Sequence, residues 1–298
     1  MTYQLNKQSG QFNKQFGQLK NSLVFNDIGQ QGDAIANKAY DALIKELQTY
    51  PKPGLVSHID NGAHADMDYA ILAKSADAIR PFFKDLFIAG TKSAQMSELR
   101  SIGIAAEQAM IQATNGINAH RGAIFALGLL CAAYGFKTQN FSLPIKLGTI
   151  IANQWGQDIS QGPISLTSHG TKVLRLYGAG GAREEAARGY PSLYEIGLPA
   201  LHEARQWTKV EEAQRIHVTM RLLAKICDTN LLHRGGIEGM AFAQHTAQKF
   251  IKDGSITQID WQKKAAEIHD NFIKRNLSPG GVADMLAATV FLDCLGDG

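Results

Sequence analysis

Three stretches of this chain place carboxylates and hydrogen-bonding side chains at glycine turns, at spacings that could hold a cation or a phosphate. "NGAHADMD", residues 61–68, gathers His64, Asp66 and Asp68 within five positions. "CDTNLLHRGGIEG" sets Asp228 two residues before Asn230, with His233 and Arg234 leading into a glycine pair. Residues two apart in an extended segment project to one side. Two hard oxygen donors side by side suit magnesium, which takes one or two carboxylates and leaves its other positions to water and phosphate. In "NLSPGGVADMLAATVFL", Ser278 is a natural N-cap and Pro279 fits the first helical position. Gly280 and Gly281 then leave first-turn amides uncovered for an anion, with Asp284 in the second turn. A plain helix start needs only the serine and the proline. Two glycines there cost about 1 kcal/mol each against alanine, which favours a ligand-facing turn.

Geometry limits the first stretch. In a helix that begins before His64, His64 and Asp68 share a face while Asp66 points elsewhere, so the two aspartates cannot chelate one ion. In a helix that begins at Asp66, that residue caps it and Asp68 reinforces its positive end. Capping and a magnesium site shared with Asp228 or Asp284 both stand open on local grounds. Zinc is set aside, because no second histidine or cysteine is suitably spaced. Cations collect at three further joints. "NGINAHRGAIF" carries Asn118, His120 and Arg121; "SHGTKVLRLYGAGGAREEAARGYP" carries His169, Lys172, Arg175, Arg183, Glu184, Glu185 and Arg188; "YPKPGLVSHID" carries Lys52 and His58. A lone charge at such a joint is more often a solvated surface group. Several, each tied to a glycine turn, favour a pocket for a polyphosphate. Neither GxxxxGK[ST] nor a glycine cluster after a strand occurs, so a nucleotide would be held by helix ends.

The elements that must position these joints are helical. Ile35, Ala39, Leu43 and Leu47 recur every four residues, and "YPKPG" ends the stripe. Helical periodicity returns at about 66–80, 93–114, 122–134, 143–157, 193–207, 211–228, 237–252, 257–275 and 279–295, while β-branched alternation is nearly absent. The expected fold is all-α, with about ten to twelve helices around a shared core. Residues 34–298 form one catalytic domain on this reading, behind a loosely held polar arm, 1–33, rich in Gln and Asn.

Composition narrows the function further. A chain of 298 residues that is 45% hydrophobic and 19% charged is that of a globular protein. Net charge of +3 without a polybasic run argues against nucleic acid as a partner. Cys131, Cys227 and Cys294 lie in apolar surroundings without metal-ligand spacing, as buried free thiols of a reducing cytoplasm would. No apolar run reaches the roughly 18 residues of a membrane span, and no secretory block opens the chain, so the expected location is cytoplasmic with no membrane partner.

"PKPGLVSHIDNGAHADMD", "GINAHRGAIF", "SHGTKVLRLYGAGGAREEAARGYP", "DTNLLHRGG" and "NLSPGGVADMLA", in that order, resemble the triphosphoribosyl-dephospho-CoA synthase family over about Pro51 to Leu295. The resemblance implies an all-helical transferase that joins ATP to 3'-dephospho-CoA, releases adenine and makes the prosthetic-group precursor of an acyl carrier protein. The wording "LVSHIDNGAHADMD" looks more like the branch serving malonate decarboxylase than the branch serving citrate lyase. Arg121 departs from the family pattern, where lysine follows the histidine; the charge survives, but a planar fork replaces a point charge.

In the implied reaction a ribose hydroxyl of dephospho-CoA attacks the anomeric carbon of ATP's ribose, and the triphosphate stays on the transferred sugar. Breaking the bond to adenine builds positive charge that a carboxylate stabilises, and the incoming hydroxyl needs a base. Asp66, Asp228 and Asp284 are then magnesium- or sugar-facing carboxylates, supported by Asp68 and Asn230. Lys52, Asn118, Arg121, Arg183, Glu185, Arg234 and the turn from Ser278 through Gly280 and Gly281 hold the nucleotide. His64, His120 and His169 compete as acid or base. All these joints are expected to converge on one cradle. Two rivals are a magnesium-dependent N-glycoside hydrolase of an ADP-ribose-like nucleotide and a non-catalytic helical scaffold for a carrier subunit. A scaffold has no need for charge at so many glycine joints. The sequence is compatible with a homodimer without fixing the oligomeric state.

Overall fold

The computed structural model describes residues 27–140, 144–163 and 181–298, and among these every regular element is a helix. Helix α1 covers residues 27–47. There follow α2 (Tyr69–Thr91), α3 (Met96–Ala113), α4 (Arg121–Asn140), α5 (Leu147–Gln161) and α6 (Gly181–Ala187). A π-helical turn, Leu193–Gly197, runs directly into α7 (Leu198–Trp207), then come α8 (Glu211–Leu223), α9 (Thr229–Lys252), α10 (Trp261–Lys274) and α11 (Gly280–Leu295).

Apolar nearly all round, α4 is the rod that the others surround. It packs most extensively on α2 and also on α11, α5 and α3, burying an unbroken run from Ala126 to Ala133. Glycine lets α2 and α4 come this close: a Cβ at Gly90 would sit 1.9 Å from the Ala132 carbonyl, and one at Gly135 would sit 2.1 Å from that of Phe87. A second group, α7, α8 and α9, packs against α11 through α8. The starts of α4, α9 and α11 are thereby brought to one place.

Element ends differ from the periodicity in instructive ways. Helix α2 begins at Tyr69, with Asp68 as its N-cap accepting from the Ile71 amide at 2.8 Å, so Asp66 lies outside it. It also continues through Pro81 to Thr91. The proline forfeits one hydrogen bond, but burying Phe83, Leu86 and Phe87 beyond it returns about 1.5–3 kcal/mol per side chain. Helix α9 starts at Thr229, well before Ile237, and bends at Gly236, whose φ of 61° and ψ of −159° only glycine adopts without strain. Helix α1 already covers 27–33, which composition assigns to the arm, because Ile28 packs on the core and Asp33 accepts from Lys84 at 2.8 Å. Of the thiols expected to be buried, Cys131 is, whereas Cys227 and Cys294 are exposed, one at the α8–α9 joint and one in the last turn of α11. Among the described residues no helix is long and apolar enough to cross a membrane.

Candidate active site

Asp228 ties two helix starts together. One carboxylate oxygen accepts from the amides of Asn230 (2.8 Å) and Leu231 (3.1 Å) at the head of α9. The other accepts from the Val282 amide of α11 at 2.9 Å. A single side chain thus satisfies orphan donors of both helices. This is what the paired glycines serve: a Cβ at Gly281 would lie 2.9 Å from Asp228 Oδ2, and one at Gly280 would lie 2.6 Å from Asn230 Nδ2. The turn expected to leave its amides bare for a phosphate is closed over a carboxylate of the protein itself. Burial pushes Asp228 above the ordinary carboxylate range, and its amide donors, Leu231 foremost, pull it back.

Asp284, one turn further along α11, faces the start of α4. A Cβ at Gly122 would fall 1.9 Å from its Oδ2, and the Ala123 amide donates to it. Burial raises this carboxyl well above its usual range, and the negative charges of Asp228 and then Glu46 raise it further. Among the described residues Asp284 has one amide donor against the several that Asp228 collects, which leaves it the carboxyl of this joint with acceptor capacity to spare.

Behind the pair lies a buried layer that the sequence reading only half identified. Lys52, expected at a phosphate, is 0% exposed. Its ammonium donates to the Glu46 carboxylate and, at 2.7 Å, to the Glu46 carbonyl. Burial lowers the Lys52 pKa while Glu46 opposes the shift. A lysine so enclosed anchors the loop after α1 and reaches no triphosphate in this arrangement. His120 is buried too, its Nδ1 2.8 Å from Ser75 Oγ. Desolvation first and Lys52 second push its pKa down to about 4, which disfavours the imidazolium a general acid would need. Glu46 and Ser75 were not anticipated. Glu46 had a signal: Ala39, Leu43 and Glu46 fall at i, i+4 and i+7, on the buried face of α1.

A second cluster lies nearer the surface. Ser278 does not cap α11; its hydroxyl is 2.8 Å from His64 Nε2. Arg234 donates from Nη2 to His64 Nδ1 at 3.1 Å, and from Nη1 to the Ala63 carbonyl (2.9 Å) and Asn276 Oδ1 (2.8 Å). Since Nδ1 accepts, the ring proton sits on Nε2 and points at Ser278. Burial and then Arg234 lower the His64 pKa, while Asp66, 3.7 Å away, works against them. The loop that carries His64 is held by another unanticipated residue, His269, which accepts from the Gly54 amide at 3.1 Å and meets Asp60 at 2.9 Å. His269 sits in a plain amphipathic helix with no glycine beside it, so nothing local marked it.

Other expected members stand apart. Asp66 is exposed and Asp68 caps α2, so neither joins Asp228 and Asp284. Among the described residues no group of three or more His, Cys, Asp or Glu is arranged to hold a metal ion. Asn118 accepts from the Arg121 amide at 3.3 Å, capping α4, and the Arg121 guanidinium pairs with Glu107 at 2.9 Å. Arg183 caps the far end of α5, donating to the carbonyls of Ile159 (3.1 Å), Gly162 (2.9 Å) and Pro163 (3.1 Å). Glu185 accepts from the Ser192 amide at 2.7 Å. Arg183 and Glu107 line a separate cavity of about 170 Å³ that neither Asp228 nor Asp284 reaches. Among the described residues the expected single cradle is therefore divided: the carboxylates lie at one joint, the His64 cluster adjoins them through Ser278, and Arg183 serves another face. His169, with Lys172 and Arg175, lies outside the described residues.

Comparison with known proteins bears on what this joint does. Residues 32–298 match the family described as CitG, ATP:dephospho-CoA triphosphoribosyl transferase. A protein of Pseudomonas paraeruginosa, named probable 2-(5''-triphosphoribosyl)-3'-dephosphocoenzyme-A synthase, is 36% identical over 271 residues, covering 89% of this chain and 91% of the relative. Proteins bearing the same name from Pectobacterium carotovorum and Acinetobacter calcoaceticus are 37% and 32% identical, covering 87% and 92% of this chain and 88% and 94% of their own lengths. No solved structure matches.

Proposed function

The chain belongs to the ATP:dephospho-CoA triphosphoribosyl transferase family, and we propose that the joint of Asp228 and Asp284 is where it links ATP to 3'-dephospho-CoA. In this reaction a ribose hydroxyl of dephospho-CoA forms a C–O bond to the anomeric carbon of ATP. The C–N bond to adenine breaks, and the hydroxyl proton ends on adenine. Asp284 takes that proton from the attacking hydroxyl and gives it up to the departing adenine, ending the cycle ionised. A carboxyl held above its usual range is a better base once ionised, and a positive charge developing on the sugar favours its ionisation. Asp228, its oxygens occupied by amides of α9 and α11, fixes the helix ends rather than reacting. Arg234 retains N–H groups beyond those spent on His64, Ala63 and Asn276 among the described residues, and it meets the triphosphate. His64, hydrogen-bonded to Ser278 and Arg234, orients that cation.

With Asp284 as the base and no group of three or more candidate ligands among the described residues, magnesium would enter on the triphosphate, whose oxygens and water supply its ligands, and would neutralise it beside Arg234. The observation that carries the reading is the Asp284 environment itself: three helix starts converge on a carboxyl to which the described residues give a single amide donor. Incubation with ATP and dephospho-CoA tests it. Adenine released only when both are present, with a product of the summed mass less adenine, supports the transfer, and EDTA should suppress it. Release from one nucleotide alone points to a hydrolase; binding without turnover points to a scaffold.

The "LVSHIDNGAHADMD" wording supports malonate decarboxylase as the destination of the product. Deleting the gene should then abolish malonate decarboxylase activity while citrate lyase persists; the opposite pattern assigns it to the other pathway.

A further inference from the structure

The chain leaves α10 through Asn276, whose φ of 54° is left-handed. The Asn276 amide donates to the Ile273 carbonyl at 2.9 Å, and the Leu277 amide reaches back to the Phe272 carbonyl at 2.9 Å. This pair of bonds ends a helix around one left-handed residue, for which glycine is the usual choice. The end of α11 meets the same demand with Gly296, at φ of 68°. Closing α10 therefore does not by itself call for asparagine. The side chain does: its Oδ1 accepts from Arg234 Nη1 at 2.8 Å.

The residues that follow lock the same corner. A Cβ at Gly235 would lie 2.5 Å from Leu277 Cδ2 and one at Gly239 would lie 2.9 Å from it, so the buried Leu277 rests on α9 directly beyond Arg234. Both N–H groups of Arg234 Nη1 are taken, one by Asn276 and one by the Ala63 carbonyl at 2.9 Å, and one N–H of Nη2 goes to His64. Among the described residues the Nε N–H and the second N–H of Nη2 remain, the planar fork that a phosphate accepts in two bonds. With Nη1 held from two sides, that fork keeps one direction.

We propose that Asn276 is a positioning residue for Arg234, fixing the guanidinium in the plane from which it meets the triphosphate of ATP. The inference rests on that role of Arg234.

Asn276→Gly removes the acceptor and suits the left-handed backbone, so the helix end is kept. Calorimetric binding of ATP should show Kd raised about threefold, the lower range for one hydrogen bond, with KM following and kcat within about twofold. In an Arg234→Gln background the same change should have no further effect, since its route to ATP is gone. Asn276→Ala loses the acceptor and strains the backbone as well; it should raise Kd as much as glycine does while melting at a lower temperature. A residue that served the helix end alone would weaken ATP binding in the alanine variant only. Wild-type ATP affinity in Asn276→Gly overturns the proposal, and so does an equal loss with and without the Arg234 side chain. Unchanged affinity in Arg234→Gln removes Arg234 from the triphosphate, and the proposal with it, whatever Asn276→Gly does.

Discussion

The carboxylate joint and the His64 cluster use the same materials, glycine turns with attached charges, and do opposite things with them. At the inner joint Lys52 is spent on Glu46, His120 on Ser75 and Asp228 on three backbone amides. In the outer cluster Arg234 and His64 are also hydrogen-bonded, yet they border solvent through an exposed Asp66. Desolvation makes the inner charges costly and tightly paired, so they define the helix arrangement. The outer charges remain available to a ligand that brings its own. Burial, rather than residue type, separates the two regions.

Asp284→Asn should have the largest consequence. Turnover should fall about 10²–10⁴-fold, while the protein gains stability at pH 8. The folded-state pKa is raised, so above pH 3.8 the unfolded chain ionises while the folded one resists, and stability is lost as pH rises toward the folded value. Removing the titration removes that loss, and a Tm about 2–4 °C higher by calorimetry is the expected sign. Retained turnover would dissolve the distinction between the two regions. Lys52→Met comes next, since it strands Glu46 in the core and should cost about 3–5 kcal/mol in urea unfolding. The double change with Glu46→Leu should restore most stability and appreciable turnover; restored stability without turnover would return Lys52 to the phosphate.

A third test uses pH alone. His120 stays neutral in the folded chain down to about 4 against 6.5 unfolded, so its contribution to stability is lost as pH falls between those values. His120→Asn should flatten that part of the stability profile, and an unchanged slope would place the histidine outside the buried layer. Arg234→Gln should have the smallest effect, raising KM for ATP about tenfold for the loss of one charged hydrogen bond. A matching fall in kcat would move Arg234 from holding the nucleotide to the chemistry.

Much of the fold was legible because helical periodicity is a local property. The stripe of α1 and the all-round apolar run of α4 could be read within a few turns. Helix ends were less so: α2 passes through Pro81 because the aromatic residues beyond it have a core to enter, which no window of sequence contains. At the site, glycine joints rightly marked close approaches. What approaches was misjudged, since Gly280 and Gly281 admit Asn230 and Asp228. His269 escaped notice because it acts across the fold, on Asp60, from ordinary helical sequence.

By itself the sequence determined that the chain is helical and that its motifs follow the order of one family. Only the tertiary structure decided which charges face one another. Asp228 and Val282 are 54 residues apart and Lys52 meets Glu46 rather than phosphate, because hydrogen-bond partners are chosen by how helices pack and what that packing strips of water.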